Sequence, residues 1–245
     1  AGGPTFKFKS IPLLNIDGSK QEIIHIQNIF EFLQTLKLPF QVSEKEDIIK
    51  NIYEGGFKVW ECTLDLISYF QETKGSEELF NNKIVLDLGC GQGILGLYAM
   101  LKAPKFVIFQ DYNDEVLKYC TLQNIKANFP SVEHMNTFGL VPGDWDLFSE
   151  NLKEYYKGSI EGFDTIMMSE VIYKEENYEK IARLINKILK PTGYCLLATK
   201  VYYFGVGGSV TGFLSYLDEN WKDLTYESLK LIDSKKGNKR QIILI

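Results

Sequence analysis

Histidine is nearly absent from this chain, with two residues in 245, and the four cysteines Cys62, Cys90, Cys120 and Cys195 are scattered with no C-x-x-C pair. That poverty excludes zinc sites of the usual kind, so no metal is expected. Unpaired cysteines also fit a reducing setting, cytoplasmic and/or nuclear, better than secretion. Excess positive charge is missing too: 27 Lys and Arg stand against 32 Asp and Glu, a formal net charge of -5. Without a basic field, direct nucleic-acid binding is not expected, and a basic protein is the more natural partner. No apolar run approaches the roughly 18 residues that a membrane-spanning helix needs, so no membrane contact is expected. Internal repeats and low-complexity segments are also lacking. The 45% hydrophobic content supports one sizeable core rather than two, and a monomer is the simplest expectation.

What the chain does have is a glycine loop with the right surroundings. Lys83-Ile84-Val85-Leu86-Asp87-Leu88-Gly89-Cys90-Gly91-Gln92-Gly93-Ile94-Leu95-Gly96 is a short apolar run ending on a carboxylate, alternating glycines, then a helix-friendly segment. Glycine here allows positive φ and lets a ligand lie against the backbone. The first N–H groups of the following helix favour acceptor atoms. In an open α/β sheet such a turn, at the carboxyl end of a strand, is where ligands bind.

Around this loop the remaining chain divides into alternating strands and helices. Ala1-Gly2-Gly3-Pro4 reads as a remnant of cloning and carries no fold information. Residues 5–20, with Pro12 and Asp17-Gly18, read as an extended arm with a turn. The spacing of Ile23, Ile24, Ile26, Ile29, Phe30, Leu33 and Leu36 predicts a helix from Gln21 to near Pro39. Ser43-Glu44-Lys45-Glu46 is a capping box ahead of Ile48, Ile49 and Ile52. Tyr53 to Thr63 reads as a Gly-Gly turn leading into an amphipathic helix with Leu64, Leu66, Ile67 and Phe70; Trp60 either anchors this loop by burial or faces a ligand.

Beyond the glycine loop, a helix over Ile94–Lys102 precedes a buried strand, Lys105–Asp111, and Asn113 is placed to cap a helix through Phe129. Residues 132–140 form a weaker strand. Phe163–Glu170 is a central strand with a polar end, Asn177–Lys190 an amphipathic helix, and Tyr194–Thr199 another apolar strand. Lys200 opens a second glycine-rich loop that carries Tyr202-Tyr203-Phe204. Phe213–Tyr216 continue as helix, and Leu224–Ile232 with Gln241–Ile245 flank Lys235-Lys236-Gly237-Asn238 as a hairpin with a solvated basic tip.

The spacing of carboxylates points to a nucleoside. Asp111 lies 20 positions past Gly91, near the ~20-residue offset at which an acidic side chain meets a ribose hydroxyl in nucleotide-binding βαβ units. Pro142-Gly143-Asp144-Trp145 would sit beside the base, with Asp144 accepting from an adenine amino group and Trp145 packing on the ring; a Pro-Gly turn with an anchoring tryptophan is the alternative. Gly91-Gln92-Gly93-Ile94-Leu95-Gly96 also fits G-x-G-x-x-G, so an NAD-dependent oxidoreductase competes with a methyltransferase. The acidic Asp87 ahead of the first glycine suits a cofactor with a cationic amino-acid end. A third possibility is a non-catalytic binding module on the same fold.

Asp-x-Gly-x-Gly-x-Gly, alternating strands and helices and a terminal hairpin resemble the seven-stranded S-adenosylmethionine-dependent methyltransferases. More narrowly, Glu54-Gly55-Gly56-x-Lys58-x-Trp60-Glu61-Cys62, Leu86 to Gly91, Gln110-Asp111-Tyr112-Asn113, Gly143-Asp144-Trp145, Ser169-Glu170-x-Ile172-Tyr173 and Tyr203 to Gly208 resemble the protein-histidine N-methyltransferases. That eukaryotic family modifies a histidine of a large-subunit ribosomal protein. The resemblance covers about residues 50–245. It implies a doubly wound, mostly parallel seven-stranded sheet with a C-terminal antiparallel hairpin as the domain 47–245, after an N-terminal extension, 1–46, of arm and helix. Members usually bear a longer N-terminal region than the few residues preceding residue 20 here, so truncation is an expectation. They also carry a histidine near the position of Tyr202, and any role of that histidine does not transfer. A lysine methyltransferase of the same superfamily is the alternative activity.

By that resemblance, contacts with S-adenosylmethionine, and with S-adenosylhomocysteine as product, fall on Val59, Trp60, Glu61, Cys62, Thr63, Gly89, Gln110, Asp111, Tyr112, Gly143, Asp144, Trp145 and Ser169. The glycine loop adds Asp87, Gly91 and Gly93. Methyl transfer from a sulfonium is an in-line displacement, so alignment and charge environment supply most of the catalysis. A carboxylate accepting from the far N–H of an imidazole would fix its tautomer and stabilise the methylated ring. Glu170 is the candidate, with Tyr173, Tyr203 and the surrounding aromatic loop as walls and Trp60 facing the sulfonium. A structural bond to a neighbouring loop is the alternative for Glu170.

Overall fold

The computed structural model describes residues 8–14, 20–26, 54–129, 136–156, 158–233 and 237–245. The central element is a seven-stranded sheet built from β3 (Ile84–Leu88), β4 (Phe106–Asp111), β5 (Phe138–Pro142), β6 (Phe163–Ser169), β7 (Leu189–Lys200), β8 (Glu227–Ile232) and β9 (Arg240–Leu244), in the order β5-β4-β3-β6-β7-β9-β8. The first five pair in parallel; β9 pairs antiparallel with both β7 and β8. Strand order therefore reverses between β3 and β6, and the carboxyl ends diverge there into the crevice where ligands bind in such sheets.

Apolar side chains alternate between two cores, as the two-residue period of a strand requires. Leu86, Leu88, Ile108, Ile166 and Met168 face one layer, packed against α5 (Trp145–Tyr155), α6 (Tyr178–Ile188) and α7 (Val210–Asn220). Val85, Val107, Phe109, Met167 and Leu196 face the other, against α1 (Glu61–Glu72) and α2 (Ile94–Met100). Burial on both faces explains why β3 and β4 are near-continuous apolar runs rather than alternating ones. All seven residues of α2 are buried, and Gly96 lets it lie on β4: a Cβ there would sit 2.1 Å from Phe109 Cε1.

The helix after β4 runs from α3 (Asp114–Val116) through a π segment (Leu117–Thr121) into α4 (Leu122–Asn128). Asn113 does not cap it with its side chain; Asn113 Oδ1 instead accepts from Glu54 N at 3.4 Å. β7 begins at Leu189, five residues earlier than expected, because the ladder shifts register between Phe163 and Thr165 and accommodates Pro191 and Gly193 there.

The expected helix from Gln21 is overturned at its start. Lys20–Ile26 is strand β2, antiparallel to β1 (Phe8–Leu14) with Phe8 opposite Ile26 and Leu14 opposite Lys20. Three β-branched isoleucines favour a pleated strand over a helix turn, and the apolar spacing was too irregular to oppose them. Ile29 to Leu36 and the capping box Ser43–Glu46 lie outside the described residues, as do residues 132–135 of the weaker strand.

Candidate active site

A cavity of about 390 Å³ opens where β3, β4 and β6 end. The glycine loop forms its floor through Gly89, Cys90, Gly91 and Gln92; the 54–60 segment crosses one side and the 203–206 loop closes another.

The loop is held by buried polar groups. Asp87 is 1% exposed and accepts from Gly96 N at 2.8 Å, so its carboxylate braces the first turn of α2. Burial, reinforced by the nearby charge of Asp111, pushes the Asp87 carboxyl up to about 8. Asp111, at the end of β4, accepts from Gly91 N at 2.9 Å and Asn113 N at 3.1 Å. Burial pushes its carboxyl up to about 6 against those N–H bonds, which favour the ionised form. The π segment brings Thr121 inward, where its hydroxyl donates to Gly91 O at 2.7 Å. Asn124 Nδ2 donates to Gln92 O at 2.9 Å, and Gln92 Nε2 donates to Phe57 O at 2.6 Å. Gly91 itself has φ +52, and a Cβ on it would lie 3.0 Å from Gly56 O. The two glycine segments thus pass backbone to backbone.

The 54–63 segment is anchored by Phe57, 2% exposed, rather than by Trp60, which is half-buried on the cavity wall. Trp60 Nε1 donates to Gly55 O at 3.2 Å, and its ring lies 4.4 Å from Lys58 Nζ and 4.8 Å from Lys200 Nζ. Glu54 accepts from the Tyr173 hydroxyl and from Lys174 Nζ at 3.1 Å, tying this segment to the residues after β6. Thr63 Oγ1 donates to Ser169 Oγ at 2.9 Å across the cavity edge.

On the opposite side, Gln110 Nε2 donates to Gly143 O at 2.7 Å while its Oε1 accepts from Trp145 Nε1 at 3.0 Å. Gln110 therefore fixes the 143–145 turn to β4 without lining the cavity. Asp144 caps α5 through Asp146 N at 2.9 Å and pairs with Lys180 at 2.9 Å. Burial acts to raise its carboxyl, but Lys180 and the Asp146 N–H outweigh that and hold it below the ordinary value.

Glu170 follows β6 with φ +58, an uncommon conformation for a residue with a side chain. It is 8% exposed; Oε2 lies 3.1 Å from Lys200 Nζ, while Oε1 is buried with no hydrogen-bond partner. Beside it, burial and then the Glu170 charge raise the Cys62 thiol far above its usual range, so Cys62 is no nucleophile. Tyr203 is 7% exposed, and its hydroxyl is engaged with Thr199 Oγ1 at 2.9 Å. Among the described residues no group of three or more His, Cys, Asp and Glu side chains is arranged to hold a metal.

A protein-family model described as lysine methyltransferase matches residues 42–205. The chain belongs to that family. It is 38% identical over 205 residues to a histidine protein methyltransferase 1 homolog of Dictyostelium discoideum, covering 82% of this chain and 61% of that protein. The corresponding homolog of Bos taurus is 35% identical over 221 residues, with 82% and 57% covered. Histidine protein methyltransferase 1 of Schizosaccharomyces pombe is 32% identical over 225 residues, with 78% and 64% covered. The chain thus spans about three fifths of the length of the curated relatives it matches. A SAM-dependent methyltransferase structure from Streptococcus mutans superposes with a TM-score of 0.56 at 15% identity, over 79% of this chain and 52% of that one, which speaks to the fold.

Within this family member, the cavity wall gathers Val59, Trp60, Thr63, Gly89, Gly91, Asp111, Tyr112, Asp144, Trp145, Ser169, Glu170, Tyr173 and Tyr203 from the residues the sequence singled out. Asp87, Gly93, Gln110, Gly143, Glu61 and Cys62 are not on that wall. For Asp87 this corrects its expected place beside a cationic ligand end: its carboxylate is spent inside the loop. Trp60 lines the cavity with two lysine ammonium groups by its ring. The hairpin tip, read as a solvated turn, brings Asn238 to the cavity; Lys235 and Lys236 lie outside the described residues. Sequence reasoning missed Lys200, Glu54 and the Gln92–Asn124 pair. Lys200 carried a signal, because it closes an apolar strand as Glu170 follows its neighbour, and the two strand ends lie side by side.

Proposed function

We propose that the chain is an S-adenosylmethionine-dependent protein methyltransferase that modifies a histidine imidazole nitrogen of a basic protein, a large-subunit ribosomal protein being the expected substrate. It would act as a monomer in the cytoplasm and/or nucleus, without binding nucleic acid directly. The names of its relatives support histidine as acceptor. The observation that carries the reading is Glu170, which lines the cavity and whose Oε1 is buried with no hydrogen-bond partner.

The residues present fit the cofactor. Gly89 and Gly91 open the cavity floor, and the Asp111 carboxylate, which accepts from backbone N–H groups, reaches the wall. Asp111 would take the ribose hydroxyls, and Asp144 with Trp145 would flank the base. S-adenosylmethionine bound there supplies an electrophilic methyl group. The protein's own task is then to present a nucleophile. An imidazole with an unperturbed pKa near ~6.5 is largely neutral at pH 7, and Glu170 Oε1 accepting its far N–H determines which nitrogen is offered. The same carboxylate stabilises the positive charge that develops on the ring. Tyr173 and Tyr203, with ring centroids 6.4 Å apart, wall the acceptor. Their hydroxyls are held by Glu54 and Thr199, which makes them walls rather than proton carriers.

A second reading, lysine methylation, is favoured by the family's description. Incubation with labelled S-adenosylmethionine and ribosomal proteins, followed by mass spectrometry of the modified residue, separates the two. Methylhistidine is expected; label confined to lysine overturns the substrate assignment. Glu170→Gln should lose roughly 10²–10⁴-fold in turnover while keeping the thermal shift given by S-adenosylhomocysteine, and full turnover would refute the role of Glu170.

A further inference from the structure

Lys200 is an unusual neighbour for a candidate catalytic carboxylate. Its side chain is 16% exposed and stands at the end of β7, on the cavity wall. The ammonium lies 3.1 Å from Glu170 Oε2, 3.9 Å from Glu61 Oε2, 4.8 Å from the Trp60 ring centroid and 5.7 Å from that of Tyr203. A carboxylate combined with two aromatic faces within about 6 Å is the arrangement that receives an alkylammonium group. Here the chain's own lysine has taken it, with Lys58 Nζ 4.4 Å from the same Trp60 ring.

Resting on the histidine reading above, we infer that Lys200 determines acceptor specificity by filling the carboxylate-and-aromatic enclosure that a substrate lysine would need, which leaves the site to a neutral ring. An incoming lysine side chain, charged at neutral pH, would meet Lys200 as a like charge and find Glu170 Oε2 already paired. It would also lack the aromatic faces of Trp60 and Tyr203 as a place to rest. A neutral imidazole meets neither obstacle. It needs one acceptor for its N–H, and Glu170 Oε1 is the carboxylate oxygen that Lys200 leaves unpaired. Selection thus works by occupation and repulsion as much as by attraction to the correct acceptor.

The test compares wild type, Lys200→Met and Lys200→Arg. Each is incubated with tritiated S-adenosylmethionine and large-subunit ribosomal proteins, and methyl-histidine and methyl-lysine are separated after acid hydrolysis. Lys200→Met should raise the methyl-lysine to methyl-histidine ratio by roughly tenfold or more, the scale of removing one close like charge in a partly screened site. Lys200→Arg, which keeps the cation, should leave the ratio within about twofold of wild type. An unchanged ratio in Lys200→Met overturns the inference while leaving histidine activity standing. So does loss of both products with the S-adenosylhomocysteine thermal shift intact, because Lys200 would then serve turnover and not selection. Methyl-lysine as the main product of wild type defeats the histidine reading itself and the inference with it. Should Lys200→Met lose the thermal shift, wild type alone decides through competition at pH 7: imidazole should inhibit, and inhibition by n-butylamine at equal or lower concentration refutes the proposal.

Discussion

Replacing Asp87 with asparagine isolates a buried charge that the glycine loop depends on. The unfolded chain releases an aspartate proton near pH ~3.9, whereas burial raises the folded carboxyl of Asp87 to about 8. Between those values the unfolded chain has lost the proton and the folded chain still holds it. The stabilisation is complete below the unfolded pKa and is lost as pH rises through the folded one, at about 1.4 kcal/mol per pH unit. From pH 6 to pH 7.5, above the value of about 6 for Asp111, the loss is about 2 kcal/mol. For a chain of this size that is roughly 4–8 °C in melting temperature. Asparagine reproduces the protonated carboxyl: its carbonyl can take the Gly96 N–H, now 2.8 Å from Asp87 Oδ2, and its amide donates where the acid proton would. Thermal melts of both proteins without cofactor, at half-unit steps from pH 6 to 7.5, should therefore diverge, with Asp87→Asn gaining on wild type by that margin. Subtraction removes the titrating groups that are not coupled to Asp87. Parallel melting curves would show that Asp87 keeps an ordinary pKa in the folded protein and would refute the reasoning.

Gly96→Ala places a methyl 2.1 Å from Phe109 Cε1. Lifting α2 from β4 should cost about 1–3 kcal/mol, partly offset by alanine's better helix propensity, and an unchanged melting temperature would contradict the packing described. Asn124→Ala removes the donor to Gln92 O and leaves that buried carbonyl unpaired. Denaturant titration should show a loss of about 1–3 kcal/mol, and the S-adenosylhomocysteine thermal shift should shrink because Gln92 no longer steadies Phe57; a purely local effect would leave the shift as in wild type.

Strands were legible in this sequence wherever both faces are covered, because Ile84–Leu88, Phe106–Asp111 and Phe163–Ser169 then become apolar runs with polar stops. The polar stops border the cavity, so Asp111 and Glu170 could be named before any geometry. Lys20–Ile26 was misread because its isoleucines satisfy part of a helical pattern, and the choice depends on pairing with β1. Glu54 was hidden for another reason: its partner Tyr173 is 119 positions away, and only the tertiary fold brings them together. The π segment is likewise invisible locally. No residue of Leu117–Thr121 announces it, and its effect is to aim Thr121 at Gly91 O.

Three carboxylates close or follow adjacent strands, and what surrounds each one separates their roles more sharply than their position does. Asp87 lies one residue before the end of β3, is shut away from the cavity and has an N–H partner from α2, so its work is structural. Asp111 terminates β4, shares its oxygens among backbone N–H groups and still borders the cavity, which suits an acceptor for hydroxyls. Glu170 lies just past β6, where φ +58 turns it away from the strand path. Its two oxygens are unlike: one is paired with Lys200, and the other is buried with no hydrogen-bond partner, beside the Cys62 thiol. A bare buried acceptor costs stability, on the order of 1–3 kcal/mol, and a fold that carries this cost beside a fixed cation retains it where a donor from outside completes the pair. An imidazole N–H is such a donor, and the ring enters neutral, so a second positive charge arises beside that carboxylate only as the methyl group is transferred.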